Sequence, residues 1–220
     1  AECLVRLPGA PTYYDRPELP KNLKTRAEIG LPQKRSLYFC AQTLFKIHPE
    51  MDILLGEILR ADPEGYILIP AGYTPGLSDR LQARFECSIP DVADRVKFLP
   101  AMSHMDFMNV LSISDVSLDT RPFGGGNTSW QAIGAGTPML TWPGRFLRGR
   151  YTAALYQLMD IREPVVDCGE EYVSRAVRFA KDYDFHRHVR ERVAERSDSI
   201  FGDMCHINAL SEFILRVARG

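Results

Sequence analysis

The sequence lacks the features that mark several large classes of protein. It has no apolar run near the ~20 residues that a membrane-spanning helix needs, and it has no signal peptide. Its formal net charge is -1, so no overall basic charge indicates nucleic-acid binding. We therefore expect a protein without membrane or nucleic-acid partners. Because the chain begins with Ala1 rather than Met, we also expect it to be part of a longer protein.

Paired cysteines are absent as well. No Cys-x-x-Cys occurs, and the five cysteines are scattered along the chain: Cys3, Cys40, Cys87, Cys168 and Cys205. An odd and dispersed set argues against a disulfide framework or a zinc site, and nothing else resembles a ligand set for Mg²⁺ or Zn²⁺. We expect reduced thiols, a cytoplasmic location and no metal.

The composition is that of a globular chain. Its 220 residues are 45% hydrophobic and 25% charged, which is enough for one sizeable core with an attached arm. Residues 1–35 hold five prolines, a density that favours an extended arm over a helix. We predict that the arm covers 1–35 and the lobe 36–220. We also expect the arm, and the apolar face of the last helix, to pack partly against the absent lobe in the whole protein. In the fragment they should be loosely held or covered by a neighbouring chain.

Short apolar runs alternate with helical patterns along the lobe. The predicted strands are 36–41, 65–69, 95–99, 115–119, 138–142 and 165–166. The predicted helices are 49–60, 77–85, 103–111, a short one near 130–133, 150–159, 170–182, 184–197 and 207–217. This alternation predicts an α/β fold, a Rossmann-like doubly wound parallel sheet of about six strands with an extended N-terminal arm and C-terminal helices.

A glycine-rich turn joins the fourth strand to the next helix. Gly124, Gly125 and Gly126 permit a sharp turn and close approach of a ligand. Asn127, Thr128 and Ser129 follow as residue types that cap helices. A helix start is a ready site for a phosphate. The turn is neither a Walker loop nor a Gly-x-Gly-x-x-Gly motif, and many such turns bind nothing.

A second loop is expected to meet this turn. If the strand order is 3-2-1-4-5-6, the first and fourth strands are neighbours, and ligands bind beyond their carboxyl ends. The loop after the first strand carries Gln42, Thr43 and Lys46. A lone lysine is usually a solvated surface residue, but facing a helix start Lys46 would pair with a phosphate. We predict a phosphate site where the two loops meet.

Other polar residues have both a functional and a plain interpretation. Gln131, one turn into the helix, could hydrogen-bond ribose hydroxyls or be an exposed helical residue. Ser103 and His104 could contact the edge of a nucleotide base, although a simple helix cap is favoured. The arginines Arg145, Arg148 and Arg150 could neutralise a pyrophosphate or lie in a solvated loop.

Several segments together resemble one family of enzymes. They are Gln-Thr-Leu-Phe-Lys-Ile-His-Pro at 42–49, Leu-Pro-Ala-Met-Ser-His at 99–104, Asp-Val-Ser-Leu-Asp at 115–119, Phe-Gly-Gly-Gly-Asn-Thr-Ser-Trp-Gln-Ala-Ile-Gly-Ala-Gly-Thr-Pro at 123–138 and Trp-Pro-Gly-Arg-Phe-Leu-Arg-Gly-Arg at 142–150. In order and spacing they resemble the C-terminal lobe of the O-GlcNAc transferase and SPINDLY-like family. The resemblance covers about residues 36 to 160.

The resemblance implies the donor-binding half of a GT-B glycosyltransferase. Lys46 would contact the diphosphate of a UDP-sugar and stabilise its developing charge, which is the catalytic role. Gln131 would bind the ribose, at a position where the family usually has a carboxylate. The remaining substrate-binding positions that the resemblance implies are Gln42, Thr43, Met102 (through its backbone), His104, Gly125, Gly126, Asn127 and Thr128.

The implied reaction is inverting, metal-independent transfer of a sugar, GlcNAc foremost, to Ser or Thr hydroxyls of proteins. No cofactor is implied beyond the UDP-sugar donor. The acceptor lobe and the helical (TPR) repeats that recruit proteins would lie outside these residues, so this fragment should bind UDP weakly and transfer nothing. Alternatives are a related protein N-glucosyltransferase, a degenerate nucleotide-sugar-binding or interaction module, and a GT-B sugar epimerase.

Overall fold

A parallel five-stranded sheet forms the centre of the protein in a computed structural model, which describes residues 3–72 and 74–219. The strands are β1 (Leu37–Phe39), β2 (Tyr66–Pro70), β3 (Val96–Leu99), β4 (Val116–Leu118) and β5 (Met139–Leu140). They lie in the order β3-β2-β1-β4-β5, and every neighbouring pair is parallel. The predicted fold class and the predicted adjacency of the first and fourth strands are confirmed.

Helices connect and flank these strands. They are α1 (Pro49–Ala61), α2 (Leu77–Ser88), α3 (His104–Ile113), α4 (Asn127–Gly134), α5 (Tyr151–Leu158), α6 (Gly169–Lys181), α7 (Tyr183–Arg196) and α8 (Cys205–Arg219). Local sequence explains several starts: Pro49 occupies the first turn of α1, and the Ser103 hydroxyl accepts the Asp106 N–H at the start of α3.

The predicted sixth strand at residues 165–166 is wrong. In its place the structure has a single parallel bridge between Thr141 and Val165. The Thr141 N–H donates to the Pro164 carbonyl at 2.9 Å and the Val166 N–H to the Thr141 carbonyl at 3.0 Å. Prolines at 143 and 164 have no N–H to donate, so the ladder cannot extend through them.

The core occupies both faces of the sheet. Alternate residues of β1 point to opposite sides: Tyr38 joins the larger apolar cluster, and Leu37 and Phe39 join the smaller one. All three are fully buried. Burial on both faces explains why the strands read as continuous apolar runs.

The N-terminal arm has no helix or strand in residues 3–36, and much of its length packs on the lobe. That the arm is loosely held in the fragment stays a prediction. The ring of Tyr14 stacks on Trp130 of α4, with centroids 5.1 Å apart and planes 2° from parallel. Pro17 lies against Gly134, where no side chain would fit. Farther along, the Lys24 N–H donates to Asn109 Oδ1 at 2.7 Å. The arm therefore packs on small and aromatic residues of the lobe.

The last helix, α8, buries none of its residues. Its apolar side chains are partly open to solvent, including Ile207 (36% exposed), Leu210 (36%) and Ile214 (55%). That this face packs against another part of the whole protein stays a prediction. No helix in the described residues is both long and apolar enough to cross a bilayer.

Candidate functional site

The loops after β1 and β4 meet at the carboxyl edge of the sheet, as the strand order predicts. Gln42, which is only 2% exposed, donates from Nε2 to the Thr128 hydroxyl at 2.8 Å. Lys46 Nζ lies 3.0 Å from the Gly124 carbonyl oxygen and 3.4 Å from Gln42 Oε1. Two loops about 80 residues apart thus form one wall of a cleft.

Two of the three glycines in the turn are required by packing. A Cβ on Gly124 would lie 2.9 Å from Asp119 Oδ1. A Cβ on Gly125 would lie 3.0 Å from Gln42 Nε2 and in contact with the Ser129 hydroxyl. A Cβ on Gly126 would meet nothing within 4 Å. The close approach that glycine permits is therefore used at the first two positions.

Asp119 holds the turn in place, a role that sequence reasoning did not assign. Its carboxylate is buried and accepts the Gly125 N–H at 2.6 Å and the Thr141 hydroxyl at 2.8 Å. Burial raises the pKa of this carboxyl, and hydrogen bonds from its neighbours oppose the rise. The sequence did contain a signal for this role: an acidic residue stands at the end of a buried strand. A buried carboxylate needs hydrogen-bond donors around it.

The start of α4 presents unused backbone donors. Within the described residues, the N–H groups of Gly126, Asn127 and Thr128 make no hydrogen bond. The cap differs from the prediction: Gly126 is the N-cap residue and supplies no side chain. Free N–H groups at the positive end of a helix favour an anion.

Lys46 is partly buried rather than fully surrounded by solvent. Besides its hydrogen bonds, its ammonium lies 4.4 Å from the centre of the Phe123 ring. Burial lowers the pKa of Lys46, and the nearby Asp119 carboxylate acts in the opposite direction. The Gly124 carbonyl and the ring thereby hold a cation beside the glycine turn.

Two adjoining cavities open along the cleft. One, of about 330 Å³, is lined by Met102, His104 and Gln131 among others. The other, of about 370 Å³, is lined by Gln42, Thr43 and Thr128 among others. Both include Pro70, Gly72 and Phe107 in their walls. Six of the predicted site residues thus line this pair of cavities, whereas Lys46, Gly125, Gly126 and Asn127 do not.

The predicted arginine cluster does not join the cleft through its side chains. Arg145 and Arg150 line a different cavity. Arg148 contributes only its backbone carbonyl, which accepts the Gly124 N–H at 2.7 Å. In residues 3–72 and 74–219, no three His, Cys, Asp or Glu side chains converge as metal ligands would.

This fold and cleft define one half of a GT-B glycosyltransferase, and comparison with known proteins gives the family. A mutant O-GlcNAc transferase from Thermobaculum terrenum superposes with a TM-score of 0.76 and 26% identity, over 98% of this chain and 41% of that chain. The profile of glycosyl transferase family 41 matches residues 15–207. The chain belongs to glycosyl transferase family 41.

Curated relatives agree with this assignment. A UDP-N-acetylglucosamine–peptide N-acetylglucosaminyltransferase of Giardia intestinalis is 24% identical over 84% of this chain and 12% of its own length. A relative from Solanum lycopersicum is named as a probable UDP-N-acetylglucosamine–peptide N-acetylglucosaminyltransferase SPINDLY. It is 27% identical over 63% of this chain and 15% of its own length. The chain thus spans less than a fifth of the length of these relatives.

Proposed function

We propose that this chain is the UDP-sugar-binding lobe of an enzyme that transfers a sugar, GlcNAc foremost, to Ser or Thr hydroxyls of proteins. Residues 1–35 would be the interdomain arm and 36–220 the donor lobe. Relatives that carry the name of a UDP-N-acetylglucosamine–peptide transferase support the donor and the acceptor class.

One observation carries the proposal: a lysine lies beside the glycine turn, and unused N–H groups begin the helix just after that turn. Lys46 is 3.0 Å from the Gly124 carbonyl, and the unused N–H groups of Asn127 and Thr128 begin α4 just beyond that turn. A diphosphate placed there would gain one ammonium and a helix N-terminus. Fixed cations and N–H groups of this kind stabilise the charge that builds on a leaving diphosphate.

The mechanism we propose is inverting and uses no metal or cofactor. The acceptor hydroxyl attacks the anomeric carbon, the bond to the diphosphate oxygen breaks, and UDP leaves with that electron pair. Lys46 and the N–H groups of Gly126, Asn127 and Thr128 would stabilise the departing charge. The base that takes the hydroxyl proton, the acceptor site and the TPR repeats would belong to other parts of the whole protein, which we expect in the cytoplasm.

The nucleoside end of the donor would lie in the cavity of Met102, His104 and Gln131. Met102 would meet the uracil through its backbone, and Gln131 would accept from the ribose hydroxyls. The Gln131 amide oxygen is neutral, and a neutral acceptor forms a weaker hydrogen bond than a carboxylate. We therefore expect modest UDP affinity.

A degenerate nucleotide-sugar-binding module is the second candidate, and Gln131 is the observation that favours it. The two are separated by giving the whole protein UDP-GlcNAc, UDP-glucose and a protein acceptor, and following transfer by mass spectrometry. Addition of a hexosamine or hexose to Ser or Thr supports the proposal. Tight UDP-sugar binding with no transfer would establish the module instead, and transfer to Asn would favour an N-glucosyltransferase.

A further inference from the structure

A second cavity, of about 710 Å³, lies outside the proposed donor cleft. It runs from the loop after β5 along α5 to the bridge residue Val165. Its walls carry three arginines, Arg145, Arg150 and Arg162, with apolar side chains between them. We call this cavity the arginine groove. The proposed transfer reaction makes no use of it.

The charges of the arginine groove are unbalanced. Arg145, Arg150 and Arg162 are all exposed, and none has an acidic partner within 4.0 Å in the part of the chain that the structure describes. Asp160 is the single acidic residue in its walls, and that carboxylate lies 3.9 Å from Arg196, on α7. Some exposed arginines elsewhere are paired, such as Arg16 with Asp198 and Arg60 with Asp91, and others, such as Arg80 and Arg216, have no acidic partner among the described residues. The groove differs in bringing three such arginines into the walls of one cavity.

Apolar side chains lie between these charges. Ala153 and Ala154 come from α5, and Ile161 and Val165 from the segment that follows it. Leu147, at the rim, is 74% exposed. The groove therefore offers guanidinium donors around an apolar floor, and it leaves a large apolar side chain uncovered.

We propose that the arginine groove docks an acidic peptide segment of a partner protein, one that carries Asp or Glu together with apolar residues. Guanidinium groups bind carboxylates through paired N–H donors, and the apolar floor would accept the intervening side chains. Charge complementarity favours this occupant, since three unpaired cations face one carboxylate. The concave shape suits a peptide better than a flat lipid surface.

The groove also has a structural link to the glycine turn. Its loop includes Arg148, whose carbonyl holds the Gly124 N–H at 2.7 Å, and Gly149, where a Cβ would lie 2.8 Å from the Pro122 carbonyl oxygen. A protein held in the groove would therefore lie beside the cleft. The proposal goes beyond donor binding, and its test uses no nucleotide, so the two can fail separately.

The test measures peptide binding to the chain by fluorescence anisotropy. The probe is a fluorescein-labelled peptide of Glu and Leu, and its matched control has Gln at each Glu. The double variant Arg145→Glu with Arg162→Glu should bind the acidic probe about 3- to 30-fold more weakly, because two exposed ion pairs are lost. Binding should also weaken as salt rises. Arg216→Glu, an exposed arginine on α8, should change nothing.

Five results would overturn the proposal. The double variant could bind the probe as tightly as the wild type, or Arg216→Glu could weaken binding equally, which would mean a general charge effect. Equal binding of the Gln peptide would remove the role of carboxylates. Anionic vesicles that bind the wild type but not the double variant, while the peptide does not bind, would make the groove a lipid contact. A dimer in sedimentation that the double variant abolishes would make its occupant a second copy of the chain.

Discussion

The glycine turn offers a matched pair of substitutions, because adjacent glycines have opposite surroundings. A Cβ on Gly125 would lie 2.8 Å from the Thr128 hydroxyl and 3.0 Å from Gln42 Nε2, and would also contact the Ser129 hydroxyl. These polar atoms hydrogen-bond to one another or to neighbours: Gln42 to Thr128, and Ser129 to Thr152. Gly125→Ala must displace at least one of them.

The expected loss of unfolding free energy in Gly125→Ala follows from those contacts. Overpacking a filled site costs about 1–3 kcal/mol, and a lost hydrogen bond adds roughly 0.5–1.5 kcal/mol. Gly125→Ala should therefore lower the free energy of unfolding by about 1.5–4 kcal/mol. At Gly126 a Cβ meets no atom within 4 Å, so Gly126→Ala should stay within about 1 kcal/mol of the wild type.

Urea unfolding of the wild type and both variants, followed by fluorescence, measures the difference. The midpoint should fall clearly for Gly125→Ala and little for Gly126→Ala, with similar slopes. Equal midpoints for the two variants, or a larger loss for Gly126→Ala, would refute the described packing of the turn.

Two further predictions concern the arm and pH. Tyr14→Ala removes a ring stacked on Trp130 at 5.1 Å and should cost about 1–3 kcal/mol of unfolding free energy; an unchanged value in urea unfolding would mean that the arm is detached in solution. Burial, with Arg190, lowers the pKa of His186, while Asp115 opposes this. The unfolded chain therefore takes up a proton first as pH falls through about 6.5. The unfolding free energy of the wild type should decline as pH falls below that value, and His186→Gln should lessen the decline. Parallel curves of unfolding free energy against pH for the two proteins would contradict this prediction.

Much of the fold was predictable because each element has a local signal. Short apolar runs buried on both faces give the strands, and Pro49 and Ser103 mark helix starts. The prediction of a sixth strand failed because Pro143 and Pro164 lack the N–H groups that further pairing would need. Apolar character alone does not show this. The contacts of the arm were not predictable for a similar reason: the partner of Tyr14, Trp130, is 116 positions away in sequence.

The meeting of the two loops in the cleft was predictable from strand order. The role of Asp119 was not, because a buried carboxylate is specified by donors from Gly125 and Thr141 on separate segments. The burial of Lys46 was missed because the Phe123 ring and the Gly124 carbonyl reach it only after the fold forms. Contacts between distant segments set these environments, whereas periodicity reports only local structure.

The central claim, that Lys46 binds a diphosphate in this cleft, is tested by calorimetric titration of UDP and uridine. Lys46→Ala removes a charge-assisted contact worth ~1.5–3 kcal/mol, so UDP should bind roughly 10- to 150-fold more weakly. Uridine, which has no phosphate, should bind variant and wild type alike. The exposed Lys34→Ala is the control and should bind both ligands normally. An equal loss for UDP and uridine would show that Lys46 shapes the pocket instead, and no loss for either would place the nucleotide elsewhere and contradict the account.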